Sequence, residues 1–144
     1  MSAEKNIALV RRFFDEVCNG RKLALADEMY TADHAYHDPS TPTGPGPKGI
    51  QDVIGTYQRA FGDAHWTIHE VTAAGDDRVI VRWTGSGTHS GELMGIPPTG
   101  KKVKVDGLWY VRFSGERMAE TWDCWDTLGM LQQLGVVPML EAKK

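Results

Sequence analysis

The sequence is poor in the features that would place a protein in a membrane, on a nucleic acid or in a disulfide-stapled scaffold. Its two cysteines, Cys18 and Cys124, lack the Cys-x-x-Cys spacing of zinc and redox sites, and both are read as buried, reduced thiols. No apolar run approaches the ~20 residues of a membrane span. The short run 7–10 precedes Arg11 and Arg12, the reverse order of a signal peptide, so a cytoplasmic protein is expected. Sixteen basic residues stand against 19 acidic ones, a net charge of -3, which leaves no broad positive field for phosphate backbones or anionic lipid. Neither nucleic acid nor membrane is an expected partner. The chain also has no Gly-x-Ser-x-Gly elbow, and no Gly-x-Gly-x-x-Gly follows a strand pattern, which sets aside Ser-His-Asp hydrolysis and dinucleotide binding.

What is present is ordinary for one folded domain over 1–144: 41% apolar and 24% charged residues, enough to build a core without staples. Ser2 can cap a helix in which Ile7, Val10, Phe14 and Val17 recur at helical spacing until Asn19-Gly20. A shorter helix is expected over 22–30 and a short strand over 35–38. Four prolines in 39–47 then predict a long loop, because each removes a backbone donor. Ile50, Val53, Ile54, Tyr57 and Phe61 mark the cleanest amphipathic helix.

From His65 the period changes to two. Runs at 66–73, 78–86, 103–113 and 118–125, rich in β-branched and aromatic residues, predict strands. Gly75-Asp76-Asp77 and Ser114-Gly115-Glu116 fall between runs as hairpin turns, so the strands should pair antiparallel in a meander. Asp126 or Thr127 can cap a last helix carrying Leu128, Leu131 and Leu134, ended by Gly135. Helices segregated on one face of an antiparallel sheet define the α+β class.

This element order resembles the cone-shaped fold shared by nuclear transport factor 2, ketosteroid isomerase, scytalone dehydratase and the SnoaL-like cyclases. The run Gly87-Thr88-His89-Ser90-Gly91-Glu92-Leu93-Met94-Gly95-Ile96-Pro97-Pro98-Thr99-Gly100-Lys101-Lys102-Val103 resembles the signature of the SnoaL-like polyketide cyclases. His37-Asp38-Pro39, Arg112-Phe113, Glu120-Thr121-Trp122-Asp123 and Leu131-Gln132-Gln133-Leu134-Gly135 agree with it. The resemblance implies a cone around an apolar pocket, often in sheet-to-sheet homodimers. It further implies intramolecular aldol ring closure in a small apolar carbonyl compound, with an acid/base Asp near the end of the last strand and neither metal nor cofactor.

That Asp maps onto Asp123, since stepping by two reaches Thr121 and Trp125 on one strand face. Asp126 and Glu120 stay open as alternatives, because a bulge after the hairpin would shift the parity. Antibiotic cyclases pair this Asp with a His on the neighbouring strand. The corresponding position here, fourteen residues upstream, is Trp109, so Tyr110 or a water would have to orient the carboxylate. Trp83, Trp109 and Trp125, with Phe14 and Tyr57 from the helices, are the expected pocket walls. His37 is read either as a proton shuttle at the mouth of the cone or as a plain loop histidine. His89 is expected to hold a turn through backbone hydrogen bonds. His34 and His37 have ligand spacing but no third ligand, so no metal is expected. His65 and His69 should share a solvated strand face. A non-catalytic carrier of a hydrophobic metabolite is the rival to an enzyme.

Overall fold

A computed structural model describes residues 2–140 of the chain. Ser2 accepts a hydrogen bond from the Lys5 amide and starts helix α1, Ala3–Arg12, as its residue type suggests. The helix then widens into a π-helical stretch, Phe13–Asn19, whose longer hydrogen-bond ring buries Phe13, Phe14, Val17 and Cys18 together. Gln58 donates to the Val17 and Cys18 carbonyls, two acceptors this helix end would otherwise leave unpaired. The helical run ends where Asn19-Gly20 predicts, although Arg21, not the glycine, takes the left-handed conformation.

Three sequence-based expectations are corrected in the next segment. The helix expected over 22–30 is a short 3-10 turn, Leu23–Glu28, and strand β1 begins at once and runs Tyr30–His37 instead of starting at residue 35. Helix α2, Gly46–Ala60, starts inside the proline-rich segment expected to be loop, since Pro47 in a first turn forfeits no helical hydrogen bond.

The remaining strands, β2 His65–Ala73, β3 Arg78–Thr88, β4 Lys102–Ser114 and β5 Arg117–Trp125, lie within two residues of the runs read from sequence. Gly75 and Gly115 turn the two hairpins with positive φ. The sheet order is β1-β5-β4-β3-β2, antiparallel throughout the meander. β1 departs from that plan: it pairs with β5 in parallel, bringing the N-terminal strand beside the last one. Register shifts in β1, β2 and at the β4–β5 pair bend the sheet, which stays open at both edges.

Helix α3, Thr127–Gln133, is capped by Asp126, whose carboxylate accepts the Gly129 amide at 2.8 Å. Its buried residue is Met130, with Leu134 just beyond its end, while Leu128 faces outward, so the leucine stripe read from sequence is rotated. Cys18 is buried, but Cys124 lies exposed on the outer sheet face, against the expectation of two buried thiols. Among the described residues no helix is long and apolar enough to cross a membrane.

Candidate active site

Alternation along β3, β4 and β5 sends Trp83, Trp109, Asp123 and Trp125 to one face of the sheet. Their space is made by glycine. Added at Gly107, a Cβ would sit 2.3 Å from the Trp83 ring, and at Gly85 it would sit 3.2 Å from it. The Trp83 indole therefore lies flat across two strands, which no larger residue at Gly107 would allow. Val53, Ile54 and Tyr57 of α2 and Met130 of α3 close the other side. Between these walls is a cavity of about 70 Å³, enough for several waters or one small organic molecule.

Asp123 forms part of its lining with only 4% of its surface exposed. A bulge does follow the hairpin, but it falls at Ala119, upstream of Glu120, so the parity that turns Asp123 inward is undisturbed. Trp109 is its direct cross-strand neighbour on β4. The hydrogen bond to Asp123 comes instead from β1: the Tyr36 hydroxyl donates to Oδ2, while Oδ1 has no protein partner. Tyr36 reaches this point because of the parallel β1–β5 pairing, which aligns it with Thr121. Burial pushes the Asp123 carboxyl up from 3.8 to about 7, nearby Asp38 adds to the rise, and Tyr36 and Trp109 pull the other way. A carboxyl poised there exists in both protonation states at neutral pH, as a group that takes and returns a proton must.

The other residues singled out from sequence separate into those that reach this cavity and those that do not. Tyr57, Trp83, Trp109 and Trp125 line it. Tyr57 meets Trp125 edge-on at 5.6 Å, and burial raises its phenol to about 12. Phe14 is absent from the lining: it packs behind Trp109 with ring centroids 4.8 Å apart. His37, adjacent to Tyr36, points to the opposite face of the sheet and so away from the cone's mouth. There its Nε2 lies 2.7 Å from Glu120, and its ring stacks on Trp122. Glu120 is thereby placed outside the cavity and Asp126 is a helix cap, which leaves Asp123 as the inward acid among the three considered. Tyr110 also faces outward, beneath Arg78, and cannot orient Asp123.

His34 and His37 lie on opposite faces of β1 and are not a ligand pair. His34 is fully buried with Nε2 2.9 Å from Thr121, and burial lowers it to about 4. His65 and His69 do not share one solvated face as expected: His65, though largely exposed, lines the cavity, while His69, at the β2 register shift, lies 2.6 Å from the Thr84 hydroxyl. His89 accepts the Thr99 amide on Nδ1 at 3.2 Å, the structural role expected of it. Around it the signature run fastens the end of β3 to the end of α2. Thr88 bonds Asp63, Ser90 accepts the Gly62 amide, and a Cβ at Gly91 would meet the Arg59 carbonyl at 2.4 Å.

Among the cavity residues that escaped the sequence reading, two lie beside the carboxyl of Asp123 or on the same aromatic wall. Tyr36 sits within the sequence Ala-Tyr-His-Asp and carries no motif of its own; only the strand register makes it a partner of Asp123. Asp38 lies at the cavity wall, where its Oδ2 accepts the Trp125 indole N–H at 3.0 Å and its Oδ1 accepts the Ser40 amide and hydroxyl. An aspartate two residues before a serine is a recognisable turn signal, but its inward face is a tertiary fact.

No curated protein matches the chain by sequence. Solved structures do. TsrD from Streptomyces laurentii superposes with a TM-score of 0.84 at 23% identity, over 95% of this chain and 99% of that one. IdmH from Streptomyces antibioticus, a proposed polyketide cyclase, is 30% identical over 90% of this chain and 97% of its own, with a TM-score of 0.73. A protein of ketosteroid isomerase-like fold from Catenulispora acidiphila gives a TM-score of 0.73 at 20% identity, over 95% and 96% of the two chains. The helices laid on a curved open sheet are thus the nuclear transport factor 2 and ketosteroid isomerase-like fold. With the SnoaL-like polyketide cyclase profile matching residues 8–134 in addition, this chain belongs to the SnoaL-like polyketide cyclase family.

Proposed function

We propose that the chain is a cofactor-independent lyase or isomerase of this family, acting on a small apolar carbonyl compound with Asp123 as general base and then general acid. The observation that carries the reading is the Asp123 carboxyl itself: buried among indoles in the cavity wall, raised to about 7, with one oxygen held by Tyr36 and the other free of protein partners. In an intramolecular aldol closure, Asp123 Oδ1 removes the proton on the carbon between two carbonyl groups. The resulting enolate carbon bonds to a second carbonyl carbon of the same molecule, and the alkoxide so formed takes the proton back from Asp123. Atoms balance without a co-reactant. Tyr36 acts on this step as a positioning residue, holding the carboxylate where an orienting imidazole stands in the antibiotic cyclases.

Asp123→Asn tests the reading with a small cyclic or acyclic β-dicarbonyl. Turnover should fall by roughly 10²- to 10⁴-fold, the usual worth of one positioned acid/base group, while ligand affinity survives. Unchanged turnover would remove Asp123 from the chemistry. The second reading, a carrier that binds and converts nothing, draws on Trp109, since an indole beside Asp123 cannot relay a proton as imidazole does. It predicts saturable binding by the wild type and no turnover.

The same proposal includes a homodimer formed through the outer sheet face. Ile80 and Leu108 are 39% and 51% exposed there, beside the half-buried Tyr110 and Trp122. Sedimentation at micromolar concentration should give twice the chain mass; a pure monomer would refute it. A cytoplasmic location suits such a metabolic role.

A further inference from the structure

The cavity is unusual in the sign of its charge. Seven aromatic rings line it, among them Trp66, Trp83, Trp109 and Trp125, together with two carboxylates, Asp38 and Asp123, and no lysine or arginine. The basic side chains in ion pairs, Arg12, Lys48, Arg78 and Arg112, all have their acidic partners away from the cavity. His34, the buried histidine nearest Tyr36 along β1, is held neutral by burial and supplies no positive charge.

Aromatic faces carry negative potential and attract cations, most strongly where water is excluded. An anionic ligand here would meet two carboxylates and ring faces with no lysine or arginine beside it, and a neutral one would leave ionised Asp123 with no cationic partner. Asp38 is held in place at the cavity rim by the Trp125 N–H and by Ser40.

We propose that the substrate of this site carries a positively charged nitrogen, a quaternary ammonium or protonated tertiary amine set in the aromatic wall between Asp38 and Asp123. The inference rests on the proposed function in taking this cavity as the substrate site, and it departs from it in making the carbonyl compound cationic, an amino-carbonyl compound in place of an apolar one. It also supplies something the reaction needs. Proton removal by Asp123 leaves an enolate, and neither lysine nor arginine lines the cavity to balance it; a cation a few bonds away within the substrate does so.

The test is calorimetric titration of the wild-type protein with three probes of one shape: choline, its neutral carbon isostere 3,3-dimethylbutan-1-ol, and anionic 3,3-dimethylbutanoate. At pH 8 choline should bind about tenfold tighter than the alcohol, with the butanoate weakest. Because choline's charge is permanent, its advantage should shrink at pH 6 as Asp123 takes up a proton. The titratable groups facing Asp123 are Tyr36 and Asp38 on the β1 side and Tyr57 on α2, with His65 of β2 elsewhere on the cavity wall. Asp123→Asn should remove most of the pH dependence and His65→Gln should leave most of it, whereas the reverse order would overturn the role of Asp123; Asp38→Asn should weaken choline without removing that dependence.

Equal or tighter binding of the alcohol, tightest binding of the butanoate, or no choline binding overturns the proposal. The two readings fail separately. A neutral β-dicarbonyl turned over through Asp123 by a protein that prefers the alcohol refutes the cation and spares the reaction. Asp123-linked choline binding by a protein that turns over no carbonyl compound refutes the reaction and upholds the cation site.

Discussion

Two hydrogen-bonded carboxylates sit three residues apart on β5, each facing a neighbour on β1, and their chemistry is opposite. Inside, Tyr36 donates to Asp123; outside, His37 meets Glu120 at 2.7 Å with Arg112 close by. Asp123 is pushed up to about 7 by burial, whereas the His37 and Arg112 contacts hold Glu120 below the ordinary glutamate value. The difference is not in the acid, nor in having a partner, but in which side of one sheet excludes water. A carboxylate with cationic neighbours in solvent is locked in its charged form, while one with a neutral donor in an apolar wall can exchange its proton near neutrality.

The contrast breaks first at turnover. Asp123→Asn should cost the roughly 10²- to 10⁴-fold given above, and Glu120→Gln should leave kcat/KM within about twofold, as expected for a group that meets only solvent and its ion pair. Steady-state kinetics on the two variants decides it.

Stability against pH should show the same asymmetry. Asp123 ionises less readily folded than unfolded, so it opposes folding increasingly as pH rises from 3.8 to about 7, by up to about 4 kcal/mol at about 1.4 kcal/mol per pH unit. His34 acts in the opposite sense. Its folded value near 4 lies below the unfolded 6.5, so its burial costs stability below pH 6.5, and that cost disappears as pH rises through the window. The two should largely offset each other between pH 4 and 6.5 in the wild type. In Asp123→Asn the histidine acts alone, and urea midpoints should rise with pH across that window. A flat variant would show that His34 is not held neutral by burial, and a variant no different from wild type would show that Asp123 is not buried as described.

Filling the wall sharpens the comparison next. Gly107→Ala must displace Trp83 and should cost about 1–3 kcal/mol, while a Cβ at Gly75 meets no atom within 4 Å and Gly75→Ala should lose only the smaller cost of its positive φ. Urea unfolding of both variants checks the order. Tyr36→Phe removes a donor that favours the carboxylate, so the pH midpoint of kcat/KM should move upward with the fold unchanged, a shift that mere loss of packing would not produce. The smallest effect belongs outside: His37→Ala should change stability by under about 1 kcal/mol and leave the pH midpoint where it was.

Much of this site could be read along the chain. The step of two from Thr121 to Trp125 identified Asp123 as the inward acid, and the same alternation selected Trp109 and Trp125, because strand periodicity survives whatever the strands later pack against. Phe14 was misplaced for the opposite reason. Helical spacing correctly buries Phe14, but it says nothing of which neighbour the ring meets, and Trp109 stands between it and the cavity. His37 missed by a single residue. β1 begins at Tyr30, not at 35, and its neighbour Tyr36 took the inward place.

By itself the sequence determined the four meander strands, their turns at Gly75 and Gly115 and the cap at Ser2, and it narrowed the inward acid to Asp123, Asp126 or Glu120. All of these follow from local periodicity and backbone chemistry. Only the tertiary structure decided that β1 joins β5 in parallel, that Tyr36 therefore meets Asp123, and that Asp38 shares the aromatic wall. Contacts between residues 87 positions apart, such as Tyr36 with Asp123, depend on strand order and register, and neither is encoded in any short stretch of chain.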